Sequence, residues 1–183
     1  MICQYLILFY LASVCGWIWE VFFFWTMNRG VYSLWYLIIY YRGVLHGPWA
    51  PIYGLGFLAL VFLWEKARHR KCAFFLSSMA SCAIVEYGTA VILEKIFQAK
   101  WWDYSEAFLN LQGRICFVSV VGFGLIGAAV VLLIMPLYKK WIISRLSKNV
   151  QKSVCLLLSS LFMIDMLYSV ITPNMGLGVS ICP

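Results

Sequence analysis

The sequence has few charged side chains. Asp, Glu, Lys and Arg together make up 11% of its 183 residues, whereas apolar and aromatic residues make up 64%. A soluble domain of this size cannot bury two thirds of its residues in one core, so the composition excludes a soluble globular protein. It also excludes a disordered chain, which has low hydrophobicity and high net charge. With a mean hydropathy of +0.88, the sequence is typical of an all-α, polytopic transmembrane helix bundle.

The residue patterns of several catalytic and cofactor sites are also missing. There is no P-loop, so the chain cannot hydrolyse ATP alone. The seven cysteines are scattered without a CxxC pair, which is typical of buried free thiols. The two histidines, His46 and His69, do not combine with cysteines at zinc-binding spacing. We therefore expect no cofactor and no metal site.

The net charge of +7 arises largely from two short linkers between apolar segments. Four cations lie in residues 66–71 and five lie in residues 139–152. Cytoplasmic loops of membrane proteins carry such an excess of Lys and Arg, so this charge indicates membrane orientation and not nucleic-acid binding. It predicts a cytoplasmic N-terminus, extracytoplasmic loops at 28–48 and 98–114, and an extracytoplasmic C-terminal tail.

Five apolar segments are predicted to cross the membrane, since a crossing helix needs about 20 mostly apolar residues. They are residues 2–27, 49–64, 72–97, 115–138 and 153–172. The segment 31–41 is aromatic but only about half as long as a crossing helix, so it is predicted to be a short interfacial or re-entrant segment. The whole chain, 1–183, is predicted to form a single membrane domain.

Two glycine patterns lie inside predicted helices, GxGxxA at 54–59 and GxGxxG at 122–127. A dinucleotide-binding fingerprint needs a preceding soluble strand and an exposed helix N-terminus, which neither pattern has. Small residues in a membrane helix allow a neighbouring helix to approach closely. We therefore predict helix packing at Gly54, Gly56, Gly122, Gly124 and Gly127.

Four acidic residues fall within predicted spans: Glu20, Glu86, Glu94 and Asp165. A charged group in the membrane costs about 2.5–3.5 kcal/mol on insertion scales and usually faces protein or water. In the predicted orientation all four lie at the middle or in the outer half of the bilayer. Glu86 and Glu94 are separated by about 80° around their helix, so one cavity can receive both.

Three carboxylates cannot all stay ionised in a low-dielectric cavity without a nearby cation. We therefore expect Glu20, Glu86 and Glu94 to cluster with Arg42 or Arg114, at the predicted outer mouths of two spans. One interpretation is that these charges pair and hold the helices together. The other is that they line a pocket that opens to the outside and binds a cationic or polyhydroxyl solute or relays protons. The candidate pocket residues are Glu20, Arg42, Glu86, Glu94, Trp102, Asp103, Tyr104, Asn110 and Arg114.

Six motifs follow one another along the chain. They are GWIWE at 16–20, RGVLHGPWAPIYG at 42–54, EY at 86–87, LEK at 93–95, WWDYS at 101–105 and NLQGRI at 110–115. Together they resemble the signature of a family of bacterial integral membrane proteins, the ABC-transporter permeases of the CmpB-like, type IV group. The resemblance covers about residues 10–136 and leaves the last predicted span outside. An extra aromatic stretch follows Arg29, so either Arg29 or Arg42 corresponds to the family's arginine.

The resemblance implies a membrane-embedded transport component, a permease subunit of the bacterial cytoplasmic membrane. Its expected partners are the lipid bilayer and a separate ATPase or other membrane subunit. One alternative is an accessory or immunity-type protein that acts by helix contacts. A second is a membrane-embedded enzyme that uses Glu and Asp as general acid and base. The sequence offers no convincing nucleophile–base pair for an enzyme, so a non-enzymatic function is expected.

Overall fold

The computed structural model of the chain describes residues 2–28, 31–40, 43–66, 70–138, 140, 145–176 and 179–181. These residues form six α-helices and two short strands. The helices are α1 (Ile2–Met27), α2 (Leu34–Tyr40), α3 (Pro51–Lys66), α4 (Lys71–Phe97), α5 (Phe117–Tyr138) and α6 (Lys148–Ile171). The strands are β1 (Ala99–Lys100) and β2 (Ser180–Ile181). The predicted all-α bundle is confirmed.

The helix ends follow local chemistry. The Ser147 hydroxyl accepts a hydrogen bond from the Val150 amide at 3.3 Å and so caps the N-terminus of α6. Gln98 ends α4 in the left-handed region, with φ 53°, and its amide donates to the Glu94 carbonyl. Pro51 begins α3, where its missing amide hydrogen leaves no partner unsatisfied.

Four helices are long and apolar enough to cross a membrane: α1, residues 72–97 of α4, α5 and α6. The fifth predicted span corresponds to α3, which has 16 residues. A helix of that length is about 24 Å long, against a hydrocarbon core of about 30 Å. It begins two residues later than predicted because residues 44–50 are not helical. The seven residues of α2 are too few to cross, in line with the short segment expected there.

The short helix α3 lies at the centre of the bundle. It packs against α1, α4 and α5, while α6 packs against α1 and α5 packs against α4. Leu60 and Val61 of α3 are almost completely buried, as are Phe74 and Val131 from its neighbours. Outward-facing residues of the long helices are apolar and largely exposed, as expected of a surface that contacts lipid.

Polar contacts tie the helices together at one end of the bundle, which we call the basic end. The Gln4 side chain donates to Gln151 at 3.1 Å, and the Tyr138 hydroxyl donates to the Gln4 carbonyl at 2.7 Å. These two bonds join α1, α5 and α6. Lys148 and Lys152 are exposed in the first turns of α6 at this end.

The opposite end, which we call the loop end, carries the long connections. The α4–α5 loop, residues 98–116, is joined to the C-terminal segment by antiparallel pairing of Ala99 with Ile181 and Lys100 with Ser180. A bond from the Asn174 amide to the Val44 carbonyl, 3.2 Å long, attaches the same segment to residues 43–50.

The basic end is predicted to face the cytoplasm because Lys and Arg accumulate there. In a chain without native cysteines, Ser105→Cys at the loop end should react with an impermeant thiol reagent added to intact cells. Ser147→Cys at the basic end should react only after the membrane is permeabilised. Both serines are exposed, so protection by protein does not explain a difference. Reaction of Ser147→Cys in intact cells would reverse the orientation.

Candidate functional site

Two carboxylates from different helices meet within the loop-end half of the bundle. We call this group the Glu20–Glu86 cluster. The charge of Glu20 acts on both Glu86 and Tyr104, so the three side chains lie within electrostatic range of one another. Hydroxyl groups complete the cluster. Its members are Glu20, Tyr53, Glu86, Tyr104 and Ser119.

Glu20 is held by a tyrosine from α3. The Tyr53 hydroxyl donates a short hydrogen bond to the Glu20 carboxylate. The Tyr53 ring lies against Gly16, one turn before Glu20, where a Cβ atom would overlap it. On its other side the ring makes an edge contact with Phe123, with 6.0 Å between centroids. The missing side chain of Gly16 therefore lets α3 place a hydroxyl at Glu20.

Glu86 is the most deeply buried carboxylate among the described residues, with 4% of its surface exposed. Its Oε2 atom lies 3.1 Å from the Ser119 hydroxyl at the start of α5. The Tyr104 side chain, from the α4–α5 loop, lies near enough to interact electrostatically with Glu86. Burial raises the pKa of the Tyr104 phenol, and the charge of Glu86 raises it further. Tyr104 therefore stays neutral beside Glu86.

Glu94 belongs to a second, separate site. Arg114 Nη2 lies 2.6 Å from Glu94 Oε2, and Arg114 Nε lies 3.2 and 3.1 Å from the two carboxylate oxygens. The same guanidinium donates to Gln112 and lies 5.6 Å from the centre of the Tyr87 ring. Hydrogen bonding to Glu94 raises the pKa of Arg114 above its ordinary value. This pair fixes the α4–α5 loop to the last turn of α4.

The expected single cluster of Glu20, Glu86 and Glu94 is thus divided in two. Glu86 and Glu94 share one side of α4, but eight residues separate them by about 12 Å along its axis. Arg114 reaches the end of the helix, where Glu94 lies, and bonds there. Arg42, the other expected partner, and Arg29 lie outside the described residues.

The remaining candidates, Trp102, Asp103 and Asn110, stabilise the α4–α5 loop itself. Trp102 Nε1 donates to the Arg114 carbonyl at 2.9 Å. Asp103 accepts bonds from the amide and hydroxyl of Ser105, which lower the pKa of its carboxyl group. It also contacts Lys100 at 3.2 Å.

Asn110 bridges the two sides of this loop. Its Nδ2 atom donates to the carbonyls of Ser105 and Ala107, both at 3.0 Å, and its Oδ1 atom accepts from the Gly113 amide at 3.1 Å. Gly113 has φ +70°, a conformation that favours glycine. The gap beside this loop, next to Glu94 and Trp102, has no room for a water molecule.

Asp165 forms a third polar site, whose role the sequence leaves open. Its two oxygens accept from the backbone amides of His46 and Gly47 at 3.1 and 2.9 Å. The His46 ring bonds to the buried Ser169 hydroxyl at 2.9 Å, and that hydroxyl lies 3.2 Å from Asp165. Asp165 therefore joins α6 to the non-helical segment before α3. Among the described residues, no three His, Cys, Asp or Glu side chains are placed to hold a metal ion.

The five glycines predicted at helix contacts differ in their surroundings. A Cβ atom at Gly54 would overlap Phe9 and Ser13 of α1, one at Gly124 would overlap Met79 of α4, and one at Gly127 would overlap Leu60 of α3. At Gly56 and Gly122 a Cβ atom would meet no atom within 4 Å. These two glycines face away from the other helices, contrary to expectation, because each lies two residues from Gly54 or Gly124 and so about 200° around the helix.

Comparison with known proteins identifies the family. No curated protein and no solved structure matches the chain. The family model described as "Putative ABC-transporter type IV" (ABC_trans_CmpB) matches residues 7–170. The match extends beyond residue 136, where the resemblance seen in the motifs ends, and includes Asp165 in α6. The chain therefore belongs to the type IV family of ABC-transporter components and is a membrane protein.

Proposed function

We propose that this chain is the membrane subunit of a transport system, that its ATPase is a separate polypeptide, and that the Glu20–Glu86 cluster binds a cationic group of the solute. Membership of an ABC-transporter family supports the first part. The missing P-loop supports the second, because the sequence provides no site for ATP hydrolysis.

The burial of Glu86 beside Glu20 is the observation on which the binding site rests. A buried carboxylate is costly unless a proton or a cation joins it, and a second carboxylate nearby increases that cost. The described hydrogen-bond partner of Glu86 is the Ser119 hydroxyl, and no described Lys or Arg bonds to Glu86. A cationic solute would place a positive charge at Glu86, while the Ser119 hydroxyl fixes one carboxylate oxygen in position.

The α4–α5 loop would control access to this cluster. Tyr104 is the loop residue that lies near Glu86, so displacement of the loop would expose the carboxylate toward the loop end. The Glu94–Arg114 pair, with Asp103 and Asn110, holds this loop in shape. We assign these residues to the support of Tyr104 and not to direct contact with solute.

The test uses the tagged chain purified from bacterial membranes with its bound subunits and reconstituted into liposomes. We expect an ATPase subunit to be present and its hydrolysis rate to rise with a cationic solute from a panel of cationic and neutral compounds. Glu86→Gln should retain the ATPase but reduce that stimulation about tenfold or more, since a lost charge contact in a desolvated site costs 2 kcal/mol or more.

Glu106→Gln is the matched control, because Glu106 is an exposed carboxylate of the α4–α5 loop. It should leave the stimulation unchanged. Absence of an ATPase from the purified assembly would contradict the transport-subunit proposal. If an ATPase is present and the solute stimulates its hydrolysis rate as strongly in Glu86→Gln as in the wild type, the transport-subunit proposal stands. The assignment of the solute site to Glu86 would then be contradicted.

A further inference from the structure

A groove of about 570 Å³ lies between α3 and α4 in the half of the bundle nearest the basic end. The binding site inferred below is independent of the proposed function, although Val85 at one end of the groove is next to Glu86 in the sequence. Its walls are mainly apolar and it opens outward, toward the lipid. Residues from both helices line it, among them Ala59, Phe62, Lys66, Ala80, Ser81 and Ile84.

The groove exists because small side chains lie between larger ones. Ala59, Ala80 and Ser81 occupy little space on the facing sides of the two helices. Phe62 and Ile84 stand beside them with half or more of their surfaces exposed. The positions of α4 that line it run from 77 to 85 and extend about 12 Å along the helix axis, which is long enough for part of an acyl chain.

Lys66 places a positive charge at the end of the groove that lies nearest the basic end of the bundle. It is the last residue of α3 and is exposed. Among the described residues no carboxylate lies within salt-bridge distance of its ammonium group. The long alkyl part of a lysine lies along apolar surface while the ammonium group reaches the polar headgroup region.

Ser81 contributes a hydroxyl that has no partner in the described part of the protein. A serine in a helix commonly donates to a carbonyl of the preceding turn. Ser77 and Ser78 do so, each donating to the Phe74 carbonyl at 3.0 and 2.7 Å. Ser81 makes no such bond although it lines the groove. Its hydroxyl is therefore available to an acceptor oxygen inside the groove.

We propose that this groove binds one anionic phospholipid. The phosphate pairs with Lys66, an ester carbonyl of the lipid accepts a hydrogen bond from Ser81, and an acyl chain lies along Ala80 and Ile84. A cation beside a groove between membrane helices is the arrangement that selects acidic headgroups. A protein helix with a wholly apolar face would fill the apolar part but would leave both Lys66 and Ser81 without partners.

The test is native mass spectrometry of the full chain, purified in detergent and mixed with equal amounts of phosphatidylglycerol and phosphatidylcholine that have the same acyl chains. The wild type should retain one lipid and prefer phosphatidylglycerol about fivefold, as expected for a single cation near the headgroups. Lys66→Gln should abolish the preference. Ser81→Ala should lower the retention of both lipids, because both have ester carbonyls.

Lys100→Gln, at the loop end, is the matched control and should keep the fivefold preference. Ala80→Phe should fill the groove and remove the retained lipid; Ala80 is exposed, so the larger side chain fits without disturbing the core. Equal retention of the two lipids by the wild type would overturn the proposal, as would a preference that persists in Lys66→Gln. A dimer without bound lipid that dissociates in Ala80→Phe would also overturn it and assign the groove to a second copy.

Discussion

Arg114→Gln is expected to lower the free energy of unfolding by about 3 kcal/mol. The replacement leaves Glu94 without its cation in a site where 14% of the Glu94 side chain is exposed, and removing one partner of a buried pair costs about 3–5 kcal/mol. The partial exposure of Arg114 places the expected value at the lower limit. For a chain of this length the unfolding midpoint should fall by about 6–12 °C, which tryptophan fluorescence in detergent can measure.

Arg70→Gln is the control, because Arg70 is an exposed cation at the basic end with no ion pair among the described residues. Its loss should cost about 0–1 kcal/mol. Glu94→Gln should destabilise the protein as Arg114→Gln does, and the double variant should lose less than the sum of the two. Equal losses for Arg70→Gln and Arg114→Gln would mean that the pair adds nothing beyond a surface charge.

Gly124→Leu is expected to destabilise the fold by about 1–3 kcal/mol, the usual cost of overpacking, and to reduce the yield of folded protein in detergent. A Cβ atom at this position would lie 2.5 Å from Met79 Cγ and 3.0 Å from Met79 Cα. The second contact is with backbone, so α4 and α5 would have to move apart. Yield by gel filtration and the thermal midpoint both report this change.

Gly122→Leu is the matched control on the same helix. A Cβ atom at Gly122 has no neighbour within 4 Å, so this replacement projects toward lipid and should change stability by about 0.5 kcal/mol or less. A loss of stability in Gly122→Leu as large as that in Gly124→Leu would show that a large side chain anywhere in this part of α5, and not the contact with Met79, determines the result.

The long helices were predictable because continuous apolar runs determine them. The predicted span 2–27 coincides with α1, and 72–97 differs from α4 by one residue. The prediction for α6 began at residue 153, whereas the helix begins at Lys148. Hydropathy does not predict residues 148–152 of α6 as part of the span because most of them are polar. The Ser147 cap extends the helix into these residues, beyond the apolar run.

The arrangement of the polar sites was only partly predictable. The prediction correctly placed Glu86 and Glu94 on one side of α4 from the angle between them around the helix. It did not take account of the distance between them along the helix axis. Tyr53 and Ser119 were not among the predicted site residues, because hydroxyls in apolar helices change the hydropathy of a segment very little. Tyr53 does occur in the motif at 42–54, which is the signal that could have identified it.

The contact between Asp165 and His46 could not be foreseen, because 119 residues separate them and hydrophobic patterning is local. The position of Asp165 in a predicted span marked it as important without naming its partner. A carboxylate that accepts two backbone amides leaves no charge pattern in the sequence.

The two hydrogen bonds from the His46 and Gly47 amides to Asp165 have a consequence for biosynthesis. Non-helical backbone at membrane depth is tolerated only where protein or water satisfies its polar groups. For these two amides the acceptor belongs to α6, which leaves the ribosome after every other helix. The turn into α3 therefore cannot reach its final hydrogen bonding until residue 165 has been translated and inserted. Although only the short helix α2 separates α1 from α3 in the sequence, the packing of α1 against α3 is completed by α6, which is synthesised after both.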